Sequence, residues 1–363
     1  MAKRVSVDKW LFTATVLLVF IGLVMVFSAS AVMAKARFGS PYTFVIRQMA
    51  WAAAGLGAMF LLMNIDYKRL KVPAIVFGLL GVTTVLLIAV FFLDRSHNTH
   101  RWIRMGPLSL QPSELAKPAI ILFLAYFLES RTKAINDWRH TLLPALGPAL
   151  LFAALIVFQP DLGTAIVCVA VTATLLFVAG INLKFLLYPA PLVPVLFYLL
   201  VWRVRWRRER ILAFLDPYAD PHGRGFHIIQ SLIAVGTGGV TGVGLMEGKQ
   251  KLFYLPEPHT DFIFAVTAEE FGLIGASLVV TLFGIFIWRG IRAAMLTRDN
   301  FGRFIATGVT AMVGIQALFN ISVVLALLPT KGIPLPFISS GGTSLFMTLA
   351  CVGVLLNITQ QAD

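Results

Sequence analysis

With 363 residues, 58% of them hydrophobic, a mean hydropathy of +0.84 and only 13% charged side chains, the chain excludes a soluble globular enzyme and reads as a polytopic membrane protein. A net charge of +13 would suit nucleic acid in a soluble domain, but here the basic residues border apolar runs, which excludes that partner. Cys168 and Cys351 both fall inside apolar runs and read as small core hydrophobes, not as a disulfide framework.

In chain order, about ten runs approach the roughly 20 apolar residues that a helix needs to cross a bilayer. They lie near 11 to 33, 45 to 65, 72 to 93, 113 to 128, 142 to 158, 164 to 180, 185 to 202, 262 to 288, 304 to 328 and 342 to 358. The first exceeds the apolar core of a signal peptide and is followed by no small-residue cleavage site, so it reads as a retained anchor. Between the seventh and eighth runs lies one long connection, about 203 to 261. The expectation is an all-α polytopic membrane protein, a single integral-membrane domain over 1–363 with about ten transmembrane helices. An inside N-terminus gives the inner loops fourteen Lys and Arg, from Lys3 and Arg4 through Lys133 to Arg303. The short outer loops hold six, Arg95 among them, and the long connection eight more. Discounting that connection for its length gives N-in and C-in.

The polar, Gly/Pro-rich segments "HRWIRMGPLSLQPSELAK" (100 to 117), "QPDLGT" (159 to 164), the long connection and "LPTKGIPLPFISSGGTS" (328 to 344) all fall on the outer side of this topology. Irregular backbone at membrane depth persists only where it is buried in protein or lines a wet cavity. These segments are the expected walls of one cavity, with Gln159, Asp161 and Ser339 among its candidate residues. His97 and His100 form an isolated H-x-x-H that reads as solvated histidines more readily than as metal ligands.

In "QPSELAK", Glu114 and Lys117 are three apart and share a helix face, a fixed acid and cation at the cavity rim. Arg101, Arg104, Lys249 and Lys251 add positive charge on that side. The cluster "WRVRWRRER" (202 to 210) pairs arginine with interfacial tryptophan and reads as an anchor for lipid headgroup phosphate. "GTGGVTGVGLMEGKQ" (236 to 250) matches neither dinucleotide nor P-loop spacing and reads as a re-entrant loop.

"LPEPHTDFIFAVTAEEFG" (255 to 272) places Asp261 directly before an apolar run, next to His259 and Thr260. One reading is a helix cap formed by Thr260 or Asp261; the other is a reactive acid. Glu269 and Glu270 lie eight and nine residues on, roughly 12 to 14 Å deeper if helical. At that depth an acid needs partners or water, which makes both glutamates candidates for a structural or proton-linked role. On a helix Glu269 would lie roughly 80° around from Asp261 and Glu270 nearly opposite, so the two cannot both share the face of Asp261.

Occurring in this order, "QPSELAK", "QPDLGT", "DPYADPHGRGFHIIQS", "GGVTGVG", "LPEPHTDFIFAVTAEEFG" and "LPTKGIPLPFISSGGTS" resemble the SEDS family (shape, elongation, division and sporulation) over nearly the whole chain. "DPYADP", "YLPEPHTDFIFAV" and "LPTKG" are more similar to its division branch, FtsW, than to its elongation branch, RodA. The resemblance implies a multi-pass protein of the bacterial plasma membrane, at the division septum, that polymerises lipid II into peptidoglycan on the outer face. It also implies a class B penicillin-binding protein and other divisome or elongasome membrane proteins as partners. It gives Asp261 the catalytic role and places Glu114 and Lys117 in the same cavity. The family pattern "SYGG" carries Ser340 here in place of its aromatic residue. The chemistry implied is attack by the 4-hydroxyl of one lipid-linked disaccharide on the anomeric carbon of another. Asp261 is then the base, and Lys117, Arg101 or Lys251 stabilises the departing diphosphate. A divalent cation, Mg2+ or Mn2+, would take Asp261 as its ligand. An elongation-type polymerase and a lipid II flippase are the alternatives; the flippase would depend on Glu269 or Glu270 instead of Asp261.

Overall fold

The computed structural model describes residues 7–94, 100–105, 108–131, 134–252 and 254–362. Lys3, Arg4, Arg95, His97 and Lys133, which entered the sequence reading, lie outside the described residues. Three long helices come first: α1 (Lys9–Phe38), α2 (Thr43–Asn64) and α3 (Pro73–Leu93). Asp8 starts α1 by accepting hydrogen bonds from the N–H groups of Trp10 and Leu11 at 3.1 Å. Pro73 occupies the first turn of α3, where its missing N–H has no helical partner to lose. An antiparallel hairpin, β1 (Ile103–Met105) and β2 (Leu108–Leu110), leads into α4 (Pro112–Glu129).

A π-helical turn, Trp138–Leu142, opens α5 (Leu143–Phe158), which is followed by α6 (Leu162–Val178). Then come α7 (Leu183–Leu187), α8 (Leu192–Phe197), the π-helical turn Tyr198–Trp202, α9 (Arg205–Leu215) and α10 (Phe226–Gly238). Three long helices close the chain: α11 (Ile263–Leu296), α12 (Asn300–Val324) and α13 (Gly342–Gln361).

Among the described residues seven helices are long and apolar enough to cross a membrane, with Trp138–Phe158 taken as one. The other three expected runs depart from that form. The run at 113 to 128 becomes α4, which carries Glu114 and Lys117 inside the bundle. The run at 164 to 180 becomes the shorter α6. The run at 185 to 202 breaks around Pro189 and Pro191, because proline lacks the N–H that would continue the helix. The long connection from 203 to 261 carries structure of its own, α9, a 3-10 turn at Pro217–Ala219, and α10.

Within the bundle α2 lies along α13, α11 against α1 and α12, and both α4 and α6 against α12. Leu18, Leu124, Phe152, Phe286 and Phe304 are fully buried between helices, whereas Phe92, Phe158 and Leu318 point outward as a lipid-facing surface needs. Lipid tails are as apolar as leucine, so cohesion rests on packing and interhelical hydrogen bonds. Asn357 of α13 supplies two such bonds, donating to the Met63 carbonyl at 2.8 Å and accepting from the Tyr67 N–H at 2.9 Å.

Candidate active site

Asp261 stands two residues before α11, in a turn held by three side chains or backbone groups from elsewhere in the fold. The His259 carbonyl accepts the Ser340 N–H at 2.9 Å, and the Thr260 carbonyl accepts the Ser339 hydroxyl at 2.6 Å. The Asp261 carbonyl accepts the Asn320 amide at 2.8 Å. Asn320 of α12 also donates to Ile333 at 2.8 Å, and Ser339 accepts the Leu335 N–H at 2.8 Å. Gln48 of α2 reaches the Ser339 carbonyl at 3.2 Å. Three consecutive carbonyls are therefore fixed, and the Asp261 side chain takes no part in holding the turn. The capping reading does not hold: Phe262 takes the cap position of α11 with no side-chain bond, and no hydrogen bond engages the Asp261 carboxylate among the described residues.

Two adjoining clefts meet at that carboxylate. One, about 540 Å³, has an apolar wall from α8 and the turn after it, including Val193, Leu196, Phe197 and Leu200, and a floor at Asp161 and Gly163. The other, about 450 Å³, is polar and bordered by Glu209, Asp220, Arg224, His227 and Glu257. Trp206, Arg210, Asp261, Thr330, Lys331 and Gly332 belong to both.

Four cations, Arg101, Arg207, Arg210 and Lys331, line the apolar cleft. Arg101 is anchored by donating its Nε–H to the Gln159 carbonyl at 2.9 Å and a terminal N–H to the Pro160 carbonyl. Arg207 donates to the Leu200 carbonyl at 2.7 Å, while its buried Nε has no partner. The guanidinium groups of Arg207 and Arg210 lie 5.0 and 5.1 Å from the Trp206 ring centroid, an arrangement in which the ring face attracts both.

Burial, reinforced by the nearby Glu257 carboxylate and opposed by Arg210, pushes the Asp261 carboxyl up to about 6. Burial, with Arg207 beside it, pulls the Lys331 ammonium down to about 8. The cleft thus holds an acid that titrates near 6 and an ammonium, still charged at neutral pH, that an arriving anion would stabilise further.

The remaining candidates divide by location. Gln159 and Asp161 support the cleft; Asp161 accepts from the Thr164 N–H at 3.1 Å and the Thr164 hydroxyl at 2.8 Å. His259 is buried against Phe44, with its Nε2 3.9 Å from Glu257. Thr260 and Ser339 serve the turn. Glu114 and Lys117 form a 2.7 Å ion pair, 2% exposed on each side, that lines neither cleft. Lys251 also lies apart, paired at 2.5 Å with Glu270, which in turn accepts from the Ser28 hydroxyl. Glu269 accepts the N–H groups of Lys249 and Gln250 at 2.9 and 3.2 Å.

Arg207, Arg210, Lys331, Gly332 and Asn320 are site residues that the sequence reading did not single out. The signal for Asn320 was an amide inside an apolar run, where an unpaired polar group is costly. For Arg207 and Arg210 no local signal existed, since a headgroup anchor has the same composition.

A divalent cation would find one free carboxylate in the apolar cleft, Asp261, among four cationic side chains, because Asp161 is committed to Thr164. No group of three or more His, Cys, Asp or Glu side chains converges among the described residues. The apolar cleft's donor set suits an anion, while the polar cleft borders Asp261 with the carboxylates of Glu209, Asp220 and Glu257. The His100 ring is engaged by backbone, its Nδ1 lying 2.8 Å from the Asp94 carbonyl.

A family model described as "Cell cycle protein" (FtsW, RodA, SpoVE) matches residues 8–363. The chain is 43% identical over 359 residues to Stage V sporulation protein E of Bacillus subtilis (strain 168), covering 99% of this chain and 98% of the relative. It is 43% identical over 354 residues to a probable peptidoglycan glycosyltransferase FtsW of Geobacter metallireducens, covering 97% and 94%. Its fold matches a chain of a solved assembly described as "Structural coordination of polymerization and crosslinking by a peptidoglycan synthase complex", with a TM-score of 0.80, 32% identity and 98% coverage of both chains. It also matches the Thermus thermophilus rod shape determining protein RodA, with a TM-score of 0.71, 29% identity and coverage of 99% and 98%.

Proposed function

The chain belongs to the FtsW, RodA and SpoVE family, and from that premise we propose that it is a peptidoglycan glycosyltransferase that polymerises lipid II, with Asp261 as general base. The observation that carries the assignment of Asp261 is its place at the junction of an apolar, arginine-lined cleft and a polar one. The two halves suit the two ends of the reaction. The apolar cleft fits the polyprenyl chain of the donor, and Arg101, Arg207, Arg210 and Lys331 fit its diphosphate. The polar cleft fits the sugar of the acceptor.

In the reaction, the 4-hydroxyl oxygen of the acceptor forms a bond to the anomeric carbon of the donor while the bond to the diphosphate oxygen breaks. Asp261 takes the hydroxyl proton, a contribution of roughly 10² to 10⁴ in rate. The electron pair leaves on the diphosphate, whose growing negative charge meets cations already in place. Displacement from the opposite face turns an α-linked donor into a β-linked chain. A carboxyl poised near 6 is ionised at neutral pH yet basic enough to accept the proton.

The reading extends to topology and setting: the Asp261 end faces outward from the plasma membrane, at the septum, beside a class B penicillin-binding protein that crosslinks the product. Identity of 43% to relatives named FtsW and SpoVE, against 29% to a solved RodA, favours the division setting over elongation. The flippase alternative loses its motivation, since Glu269 and Glu270 fasten a neighbouring segment and line neither cleft. The test is glycan polymerisation from purified lipid II by the reconstituted protein with its crosslinking partner. Asp261→Asn should abolish polymer while leaving folding and partner binding intact; polymer at the wild-type rate would sink the assignment.

A further inference from the structure

Helix α11 is broken within one turn of its acidic pair. Gly272 has φ +63° and ψ −159°, a conformation essentially confined to glycine, and the carbonyls of Glu269 and Glu270 lose their helical partners there. The segment after α10 replaces them. The N–H groups of Val243 and Gly244 donate to the Glu269 and Glu270 carbonyls at 3.0 Å each. The N–H groups of Leu273 and Ile274 donate to Gly239 and Val240 at 2.9 and 3.2 Å. The glycine-rich stretch thus runs as a splice across the broken helix, with no room for a side chain: a Cβ on Gly242 would collide with the Glu270 carbonyl oxygen.

The two glutamate side chains fasten the chain just beyond that splice. Glu269 takes the N–H groups of Lys249 and Gln250. Glu270 takes the Lys251 ammonium at 2.5 Å and the Ser28 hydroxyl at 2.6 and 2.8 Å, and Lys251 also donates to Ser28 at 2.9 Å. Lys251 and Glu270 close a ring of chain that contains Asp261, and Ser28 ties that ring to α1. The ion pair is 3% and 0% exposed, so its members have no solvent to fall back on.

We propose that the Ser28, Lys251 and Glu270 cluster is a positioning device for the reaction, setting where the Asp261 carboxylate sits between the two clefts. The inference rests on the reading of Asp261 as the base. The cluster touches no substrate in that scheme and acts through the chain that leads from Lys251 to Asp261.

The test replaces both charges with apolar side chains of similar length, Lys251→Met with Glu270→Met, which leaves no buried charge unpaired. Polymerisation from lipid II is measured for this variant, for Asp261→Asn and for wild type, each reconstituted with the crosslinking partner, with melting temperature recorded alongside. The expected result is a folded double variant with kcat reduced at least tenfold, KM within twofold of wild type, and the acid limb of its pH profile displaced. A cluster that serves stability alone would change the melting temperature and leave kcat and that limb where they were, and this result overturns the inference. Should the double variant not fold, Ser28→Ala decides: a three- to tenfold loss of kcat at unchanged KM supports the inference, and wild-type kcat overturns it. Full activity in Asp261→Asn removes the base and the positioning role together, whereas an inactive Asp261→Asn beside a fully active double variant removes the positioning role alone.

Discussion

Gly332→Ala separates the position of Asp261 from its identity. A Cβ built on Gly332 stands 2.7 Å from the Asp261 Oδ2. Ordinary contact begins near 3.4 Å, so the carboxylate must retreat by about 0.7 Å. A misplacement of about 1 Å at a reacting group costs on the order of 100-fold, which scales here to roughly 25-fold in kcat, or about 1.9 kcal/mol in the barrier. The backbone of Gly332 lies outside the left-handed region, so the strain that alanine brings is the Cβ contact with the carboxylate and not a forbidden φ, offset by a lower unfolded-state entropy of about 0.4 to 1 kcal/mol. Activity is therefore expected to fall far more than stability. The assay is lipid II polymerisation at saturating substrate together with thermal unfolding, with Gly284→Ala, whose Cβ meets nothing within 4 Å, as the control. Wild-type kcat in Gly332→Ala would refute the claim that the carboxylate works from its place against Gly332.

The pH dependence of polymerisation should be bell-shaped. Asp261 must be ionised to act as base, so the rate rises as pH passes about 6, and it falls above about 8 as Lys331 loses the charge that meets the diphosphate. A profile flat between pH 5 and 9 would contradict both assignments. Arg210→Ala removes a cation that lowers the Asp261 pKa, so the acid limb should move upward, and a downward shift would mean that the two groups are not coupled as the structure places them. Gly272→Ala forces a side chain into a φ of +63° and against the Gly242 nitrogen; a loss of about 3 kcal/mol or more should appear as a lower melting temperature. Lys117→Met leaves Glu114 buried and unpaired and should cost about 3 to 5 kcal/mol, much of it recovered on adding Glu114→Met, as a double-mutant cycle in thermal unfolding would register.

How far these features were legible depended on whether their signal was local. The apolar runs announced the helices because hydrocarbon thickness sets their length, and Asp261 stood out as an acid at the mouth of one. Helical spacing separated Glu269 from Glu270 but named no partner for either; their partners, Lys249, Gln250, Lys251 and Ser28, come from a segment 19 or 20 residues upstream and from α1. Lys251 was placed with the site because a cation beside an outer loop suits a diphosphate. Its burial against Glu270 is a tertiary fact, fixed by a helix break that no single residue announces until the 239 to 244 splice is seen. The arginines of α9 fail in the opposite sense. Their composition fits a headgroup anchor, and Arg205, 87% exposed along its side chain, keeps that character. Arg207 and Arg210 turn inward because the fold of the 203 to 261 connection lays one face of α9 over the cleft. The same short helix therefore leaves Arg205 exposed on its outer face and turns Arg207 and Arg210 toward the cleft on its inner one. Charge composition is identical for both tasks, and only the direction of the helix face distinguishes them.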